Sequence, residues 1–426
     1  MLNLTSEEQA MLAGHQGEAA QVAMRIVVKM GELFGASSLL PISRAHIDSG
    51  IYQGPSALDF VEMLLAKGGR VAVPTSMNVV SLDLERWQQN SRVPVEFATP
   101  ARRLAEAYLK MGAKPTFTCA PYQQKDITPA FGEQVAWAES NAVAFVNSVV
   151  GARTNKYGDF FDICLALTGR APAYGLHLAE NRRGQLWLRL KDIPPALLRD
   201  DAFYQVLGYQ VGRLAGSSIP VIEGVPPTAT EDQLKALSAA AASSGAVALF
   251  HIVGVTPEAP TREAAFGGLA PLETIELDLE MLRQARRELS VNPTGLEKPD
   301  VIALGSPHFS LAECRQLAAL VEGQRVAANI EVFVATNRVV YHALEQSGLL
   351  ARLEAFGATV TQDTCVVVSP LIAPGARLLM TNSAKYAYYS PGILGMQVVF
   401  GTLAECVASA VAGRIVRNDN LWELHV

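Results

Sequence analysis

Over the first 190 residues, stretches with apolar positions at helical spacing, such as GEAAQVAMRIVVKMGELFG (17–35), alternate with short apolar runs such as GGRVAVPTS (68–76). Each run ends in polar, turn-forming residues, a pattern that predicts α/β structure. Polar and proline-bearing stretches follow at EGVPPTATEDQ (223–233), GVTPEAPTREAAFGG (254–268) and SVNPTGLEKPD (290–300), where joints between units are expected. The reading is an α/β domain over residues 1–185, a middle α/β unit over 186–290 and a last α/β domain over 291–426.

One pattern occurs twice. VIALGSPHFSLAEC (301–314) and MQVVFGTLAEC (396–406) both read as strand, glycine turn, Ser or Thr cap, then helix. Ser310 with Glu313 and Thr402 with Glu405 fit the S/T-x-x-E capping box, as do Thr5 and Glu8 at the start of the chain. Such helices begin near the carboxyl ends of neighbouring strands, the edge of an open α/β sheet where ligands bind. The charge-free run Ala236–Val255 is long enough to suggest a membrane span, but SSG at 243–245 splits it into a helix end and a strand, AVALFHIVGV.

Composition narrows the function classes. Half the residues are hydrophobic and 18% are charged, as in a compact enzyme body. A net charge of -6 without a basic run excludes a nucleic-acid partner and disfavours a membrane surface. The first residues, MLNLTSEEQAMLAG, read as a capped helix and not as a signal peptide, and five cysteines without framework spacing suggest reduced thiols in a cytoplasm.

Cys164, Cys314 and Cys406 fall inside helical patterns, where a small apolar side chain fills the core. Cys119 in TFTCAPYQ and Cys365 in TQDTCVVVSP are different: each ends a β-like run beside a polar or proline turn. GSPHFS places Ser306 and His308 at a strand end ahead of a capped helix, so His308 could ligate a metal, bind a substrate or sit in a turn. Other strand ends carry His46, Asp48 and Ser49 (SRAHIDSG), Ser76 and Asn78 (VPTSMN), and Glu139, Ser140 and Asn147 (AWAESNAVAFVNS). A buried carboxylate among these needs a partner or a ligand. Lys385, in TNSAKYAYYSPG between an apolar strand and a Pro-Gly turn, suits a substrate carboxylate or simply reaches solvent.

Taken in order, LTSEEQAMLAG, PISRAHIDSG, VPTSMN, LDLERW, FTCAPYQ, GEQVAWAESNAVAFVNSVVGARTN, GRAPAYGLHLAENR, LGSPHFSL, QDTCVVVSP and TNSAKYAYYSPG resemble the large-subunit module of the aconitase X family, iron-dependent dehydratases related to aconitase. The resemblance covers nearly the whole chain. It implies an aconitase-like multidomain fold, three α/β units around a central cleft, and loss of water next to a carboxylate with iron as Lewis acid. Positions matching Cys119 and Cys365 hold iron or an iron–sulfur cluster in the family. A third cysteine of archaeal members is Ser306 here, which favours a 2Fe–2S cluster or a single iron, helped by Ser306 or His308, over a three-cysteine cubane.

The resemblance further implies substrate contacts at Asn78, Glu139 and Ser140, with His46, Asp48 and Ser49 as neighbours and Lys385 on the substrate carboxylate. The bacterial branch, which dehydrates cis-3-hydroxy-L-proline to pyrroline-2-carboxylate, is the nearer match. Its proton-abstracting serine lies on a small swivelling domain that this sequence does not show, so a small partner subunit carrying that serine is expected. Two rivals stand beside this reading. One is a dehydratase of a phosphorylated hydroxy acid such as mevalonate 5-phosphate; the other is a binding or scaffold subunit without turnover.

Overall fold

The structure is a computed structural model that describes residues 2–90, 92–292 and 294–423. Pro293, within one of the expected joints, lies outside the described residues. The chain divides into two compact units, Met1–Arg183 and Gly184–Val426.

The strands of the first unit are β1 (Leu39–Pro41), β2 (Ala45–Ile47), β3 (Thr75–Met77), β4 (Ala136–Trp137) and β5 (Arg170–Pro172). β1 and β5 pair antiparallel. β2 lies between β3 and β4, parallel to both, so all three carboxyl ends share one edge. Every residue of these three strands is buried, as expected for a parallel sheet covered on its faces. The helix Glu18–Leu33 buries Ala19, Ala23, Met24 and Val27, the apolar positions of its helical repeat. Its Met24 and Val27 join Leu64, Leu104 and Tyr108 of the helices Pro55–Ala66 and Val95–Lys110 in one core with Ile47 of the sheet. Each fully enclosed Leu of this core contributes about 2 kcal/mol.

The second unit holds two sheets. β6 (Leu186–Leu190), β7 (Pro220–Glu223), β8 (His251–Ile252) and β9 (Glu273–Leu277) form a parallel sheet in the order β8-β7-β6-β9. β10 (Val301–Phe309), β11 (Glu331–Thr336), β12 (Ala358–Gln362), β13 (Leu378–Thr381) and β14 (Gln397–Phe400) form another, in the order β12-β11-β10-β13-β14. The alanine-rich run is the end of the helix Glu231–Ser244, which packs closely against Asp201–Ala215. A Cβ on Gly208 would lie 2.4 Å from the Leu237 carbonyl oxygen, so the small residues serve that close approach. The run expected to form a strand after SSG is paired only at His251–Ile252. No helix among the described residues is long and apolar enough to cross a membrane.

All three expected capping boxes form, at Thr5–Glu8, Ser310–Glu313 and Thr402–Glu405. The glycine turn expected after VIAL is instead a distortion inside β10. Its register against β11 shifts between Leu304 and Phe309, around Gly305 at φ 90°.

Candidate active site

The carboxyl edge of the first unit's parallel sheet carries most of the polar residues singled out in the sequence. Asp48 and Ser49 follow β2, Asn78 follows β3, and Glu139 follows β4 by one residue. Asn78 donates its amide N–H to Asp48 Oδ1. Glu139 caps the helix Ser140–Phe145, accepting from the Ala142 N–H at 2.6 Å, and Ser140 Oγ donates to it at 3.4 Å. Burial, followed by the charges of Glu139 and Asp159, raises the Asp48 carboxyl to about 8.

His46 belongs to β2 and is fully enclosed, its Nδ1 2.8 Å from Ser76 Oγ and its ring against Trp137. Burial lowers it to about 3, so the imidazole is neutral and supports the sheet from within. Asn147 likewise works internally, bonded to Thr154 through both amide atoms and to Arg182.

Asp162 was not legible as a site residue. Its Oδ2 accepts the main-chain N–H groups of Asp48 at 2.8 Å and Ser49 at 3.0 Å, while Oδ1 accepts Ser49 Oγ at 2.8 Å and the Ile163 N–H at 2.7 Å. Tyr108 closes the set, its hydroxyl 2.6 Å from Ser49 Oγ. The only signal in the sequence was one acid in the apolar stretch FFDICLALTG.

Cys119 sits in an irregular segment beside β3 and not, as expected, at the end of a strand. Thr116 exchanges hydrogen bonds with Met77 at 2.8 Å each way, and the Thr118 N–H reaches the Met77 carbonyl at 3.1 Å. Phe117 adopts φ 39°, and Asn141 Nδ2 holds the Cys119 carbonyl at 2.8 Å. The segment continues the sheet edge while turning the thiol out of the strand pattern.

In the second unit, Ser306 and His308 lie in the distorted half of β10. His308 is enclosed and donates Nε2–H to the Thr364 carbonyl at 3.2 Å, which leaves the lone pair on Nδ1. Burial lowers it to about 4, assisted by the charges of Lys235 and Lys385. Cys365 comes next to Thr364, in a turn beyond β12. Asp363 precedes it at φ 68°, pinned by a two-pronged Arg338 contact at 2.6 and 2.7 Å. The expected β-like run through Cys365 therefore stops at Gln362, because Arg338 bends the chain before the valines.

Lys385 corrects another expectation. The helix Ala384–Ile393 begins directly before it and contains Pro391 and Gly392, so there is no Pro-Gly turn. Ser383 caps this helix by accepting the Tyr386 N–H at 3.1 Å, and its hydroxyl donates to the Ser306 carbonyl. Ser306, His308, Cys365 and Lys385 are thus brought into one neighbourhood, while Cys119 belongs to the other unit. Cys164, Cys314 and Cys406 are enclosed within helices, and burial raises the Cys314 thiol to about 12. Their reading as core residues holds.

Three family descriptions match in sequence order: the aconitase X first domain over residues 1–180, second domain over 184–287 and third domain over 299–412. The chain belongs to the aconitase X family. A cis-3-hydroxy-L-proline dehydratase of Pseudomonas aeruginosa is 51% identical over 422 residues, 98% of this chain and 72% of that protein. A phosphomevalonate dehydratase large subunit of Methanothermobacter thermautotrophicus is 38% identical, over 93% of this chain and 96% of its own length. The crystal structure of Thermococcus kodakaraensis aconitase X in its holo-form superposes with a TM-score of 0.85 at 33% identity, covering 96% of this chain and 100% of that one.

Among the described residues, no three His, Cys, Asp or Glu side chains are grouped as a metal site. The side chains that the sequence offered for iron in the second unit are a thiol, a hydroxyl and one imidazole, those of Cys365, Ser306 and His308. That set suits iron: thiolates bind it well, and His308 is neutral with its tautomer fixed by a carbonyl, as a metal-ligating imidazole requires.

Proposed function

We propose that this chain is the large subunit of an iron-dependent hydro-lyase that converts cis-3-hydroxy-L-proline to pyrroline-2-carboxylate. The 51% identity to a dehydratase of that name, over 98% of the chain, carries the reading. A carboxylate-rich edge around Asp48 supports it over a phosphorylated substrate, since a phosphate needs cationic donors.

Cys119 and Cys365 would hold the iron, with Ser306 or His308 as a further donor, and bound iron would supply Lewis acidity toward the substrate's hydroxyl or carboxylate. Lys385 anchors that carboxylate. Its place in the first turn of Ala384–Ile393 favours this role, because the helix N-terminus and the ammonium attract the same anion. With the carboxylate charge offset, the proton on the neighbouring carbon becomes more acidic. Asn78, Glu139 and Ser140 hold the ring. A base removes the C2 proton, the C3–O bond breaks and water leaves, giving an enamine that tautomerises to the cyclic imine. We assign the base to a serine of a small partner subunit, a reading supported by archaeal relatives named as large subunits.

The test is an anaerobic preparation of the chain with that subunit, assayed on 3-hydroxyproline isomers and on mevalonate 5-phosphate. Loss of water from the cis-3-hydroxy isomer alone is expected; turnover of the phosphorylated acid alone would replace this reading. Cys119→Ser and Cys365→Ser should each lose bound iron by metal analysis, and full iron content in either would remove that ligand.

A further inference from the structure

The hydroxyproline reading leaves one charged group of the substrate without a receptor. At neutral pH the ring nitrogen is a secondary ammonium with two N–H donors, and Lys385 takes only the carboxylate.

Asp159 and Asp162 lie close enough to raise the Asp48 carboxyl, Asp159 also raises that of Asp162, and none of the three has a Lys, Arg or His ion-pair partner among the described residues. Asp162 has no acceptor capacity to spare, since its two oxygens already receive four hydrogen bonds. Asp48 does. One of its carboxylate oxygens takes the Asn78 amide N–H, and the other receives no hydrogen bond among the described residues.

Asn78 supplies the second observation. It is 2% exposed, and its Oδ1 is enclosed without a hydrogen-bond partner among the described residues. An enclosed amide oxygen left unbonded costs about 1–3 kcal/mol, so its position calls for a donor. Because its amide nitrogen is on Asp48, that oxygen lies beside the Asp48 carboxylate. Two acceptor groups therefore stand side by side where a buried cation is lacking, and the Asp48 carboxyl, which holds its proton in the absence of a cation, becomes a charged acceptor when an ammonium takes that proton's place. A hard metal ion fits poorly, as no three acidic or imidazole side chains among the described residues are arranged around one.

We propose that the Asp48 carboxylate and the Asn78 amide oxygen receive the two N–H groups of the substrate's ring ammonium. Asp162 is the positioning residue of this subsite, because it fixes the main chain at Asp48 and Ser49. The subsite selects amino acids over hydroxy acids that lack nitrogen.

The test uses the complete enzyme with its partner and two unreactive ligands of similar ring size, L-proline and cyclopentanecarboxylate, titrated calorimetrically. Asp48→Asn should weaken L-proline by about 30-fold or more and leave cyclopentanecarboxylate within about twofold, the size expected for losing one partner of a buried charge pair. Asn78→Ala should weaken L-proline selectively by about 5- to 10-fold, which keeps the proposal testable if the first variant fails to fold. Equal losses for both ligands, or wild-type binding of L-proline no tighter than of cyclopentanecarboxylate, would overturn the subsite. Should L-proline binding depend on Asp48 while no hydroxyproline isomer is dehydrated, the subsite stands and the substrate reading falls. An unchanged KM for cis-3-hydroxy-L-proline in Asp48→Asn, with turnover retained, would do the reverse.

Discussion

Burial and the facing carboxylates of Glu139, Asp159 and Asp162 raise the Asp48 carboxyl from 3.8 to about 8, which links stability to pH in a definite direction. The folded chain keeps this proton while the unfolded chain loses it near pH 4. The stabilisation from the protonated form is therefore complete below about pH 4 and is lost as pH rises toward 8. Asp48→Asn cannot ionise, and Asp162 is unchanged in it. Calorimetric melting between pH 5.5 and 8.5 should show the variant gaining several °C on wild type as pH rises, on the order expected for this linkage; parallel curves would show that the two states titrate Asp48 alike. Legibility at this scale divides by distance along the chain. Asp48, Asn78 and Glu139 stood out because each ends an apolar run, a local pattern. Asp162 did not, because the N–H groups it accepts come from residues 114 and 113 positions earlier, a pairing that only the fold creates.

β10 is the element on which the second unit's candidate residues depend. Its nine residues are all buried, and its pairing with β11 shifts register between Leu304 and Phe309. Gly305 permits the shift: at φ 90° an added Cβ would lie 2.1 Å from the Ala335 carbonyl oxygen, backbone that cannot step aside. Gly305→Ala should cost about 3 kcal/mol or more through strain and clash, lowering Tm by about 5 °C or more. It should also reduce iron content, since Ser306 and His308 follow directly. Unchanged Tm and iron would mean that the strand tolerates another register. The capping boxes were legible because each closes within four residues. The Pro-Gly turn expected after Lys385 was misread, since a Pro-Gly pair usually lies beyond a helix end, whereas here Pro391 and Gly392 fall inside the last turn of Ala384–Ile393.

For the whole molecule, ten ordered motifs carried the family, and parallel sheets with polar carboxyl edges were legible from apolar runs ending in polar residues. The four candidate donors, Cys119, Ser306, His308 and Cys365, all belong to this chain, whereas the proposed base is on a partner. Iron binding and catalysis should then separate. Prepared anaerobically without a small subunit, the chain is expected to bind iron, with a visible absorption that Cys119→Ser or Cys365→Ser removes, yet to dehydrate cis-3-hydroxy-L-proline only at background rate. Adding the small subunit should raise kcat by about 10²–10⁴-fold, the range for supplying one positioned general base, without raising the iron content. A serine-to-alanine exchange at the partner's base should abolish that gain while leaving complex formation intact. Full turnover by the iron-loaded chain alone would place the base on this chain and remove the need for a partner.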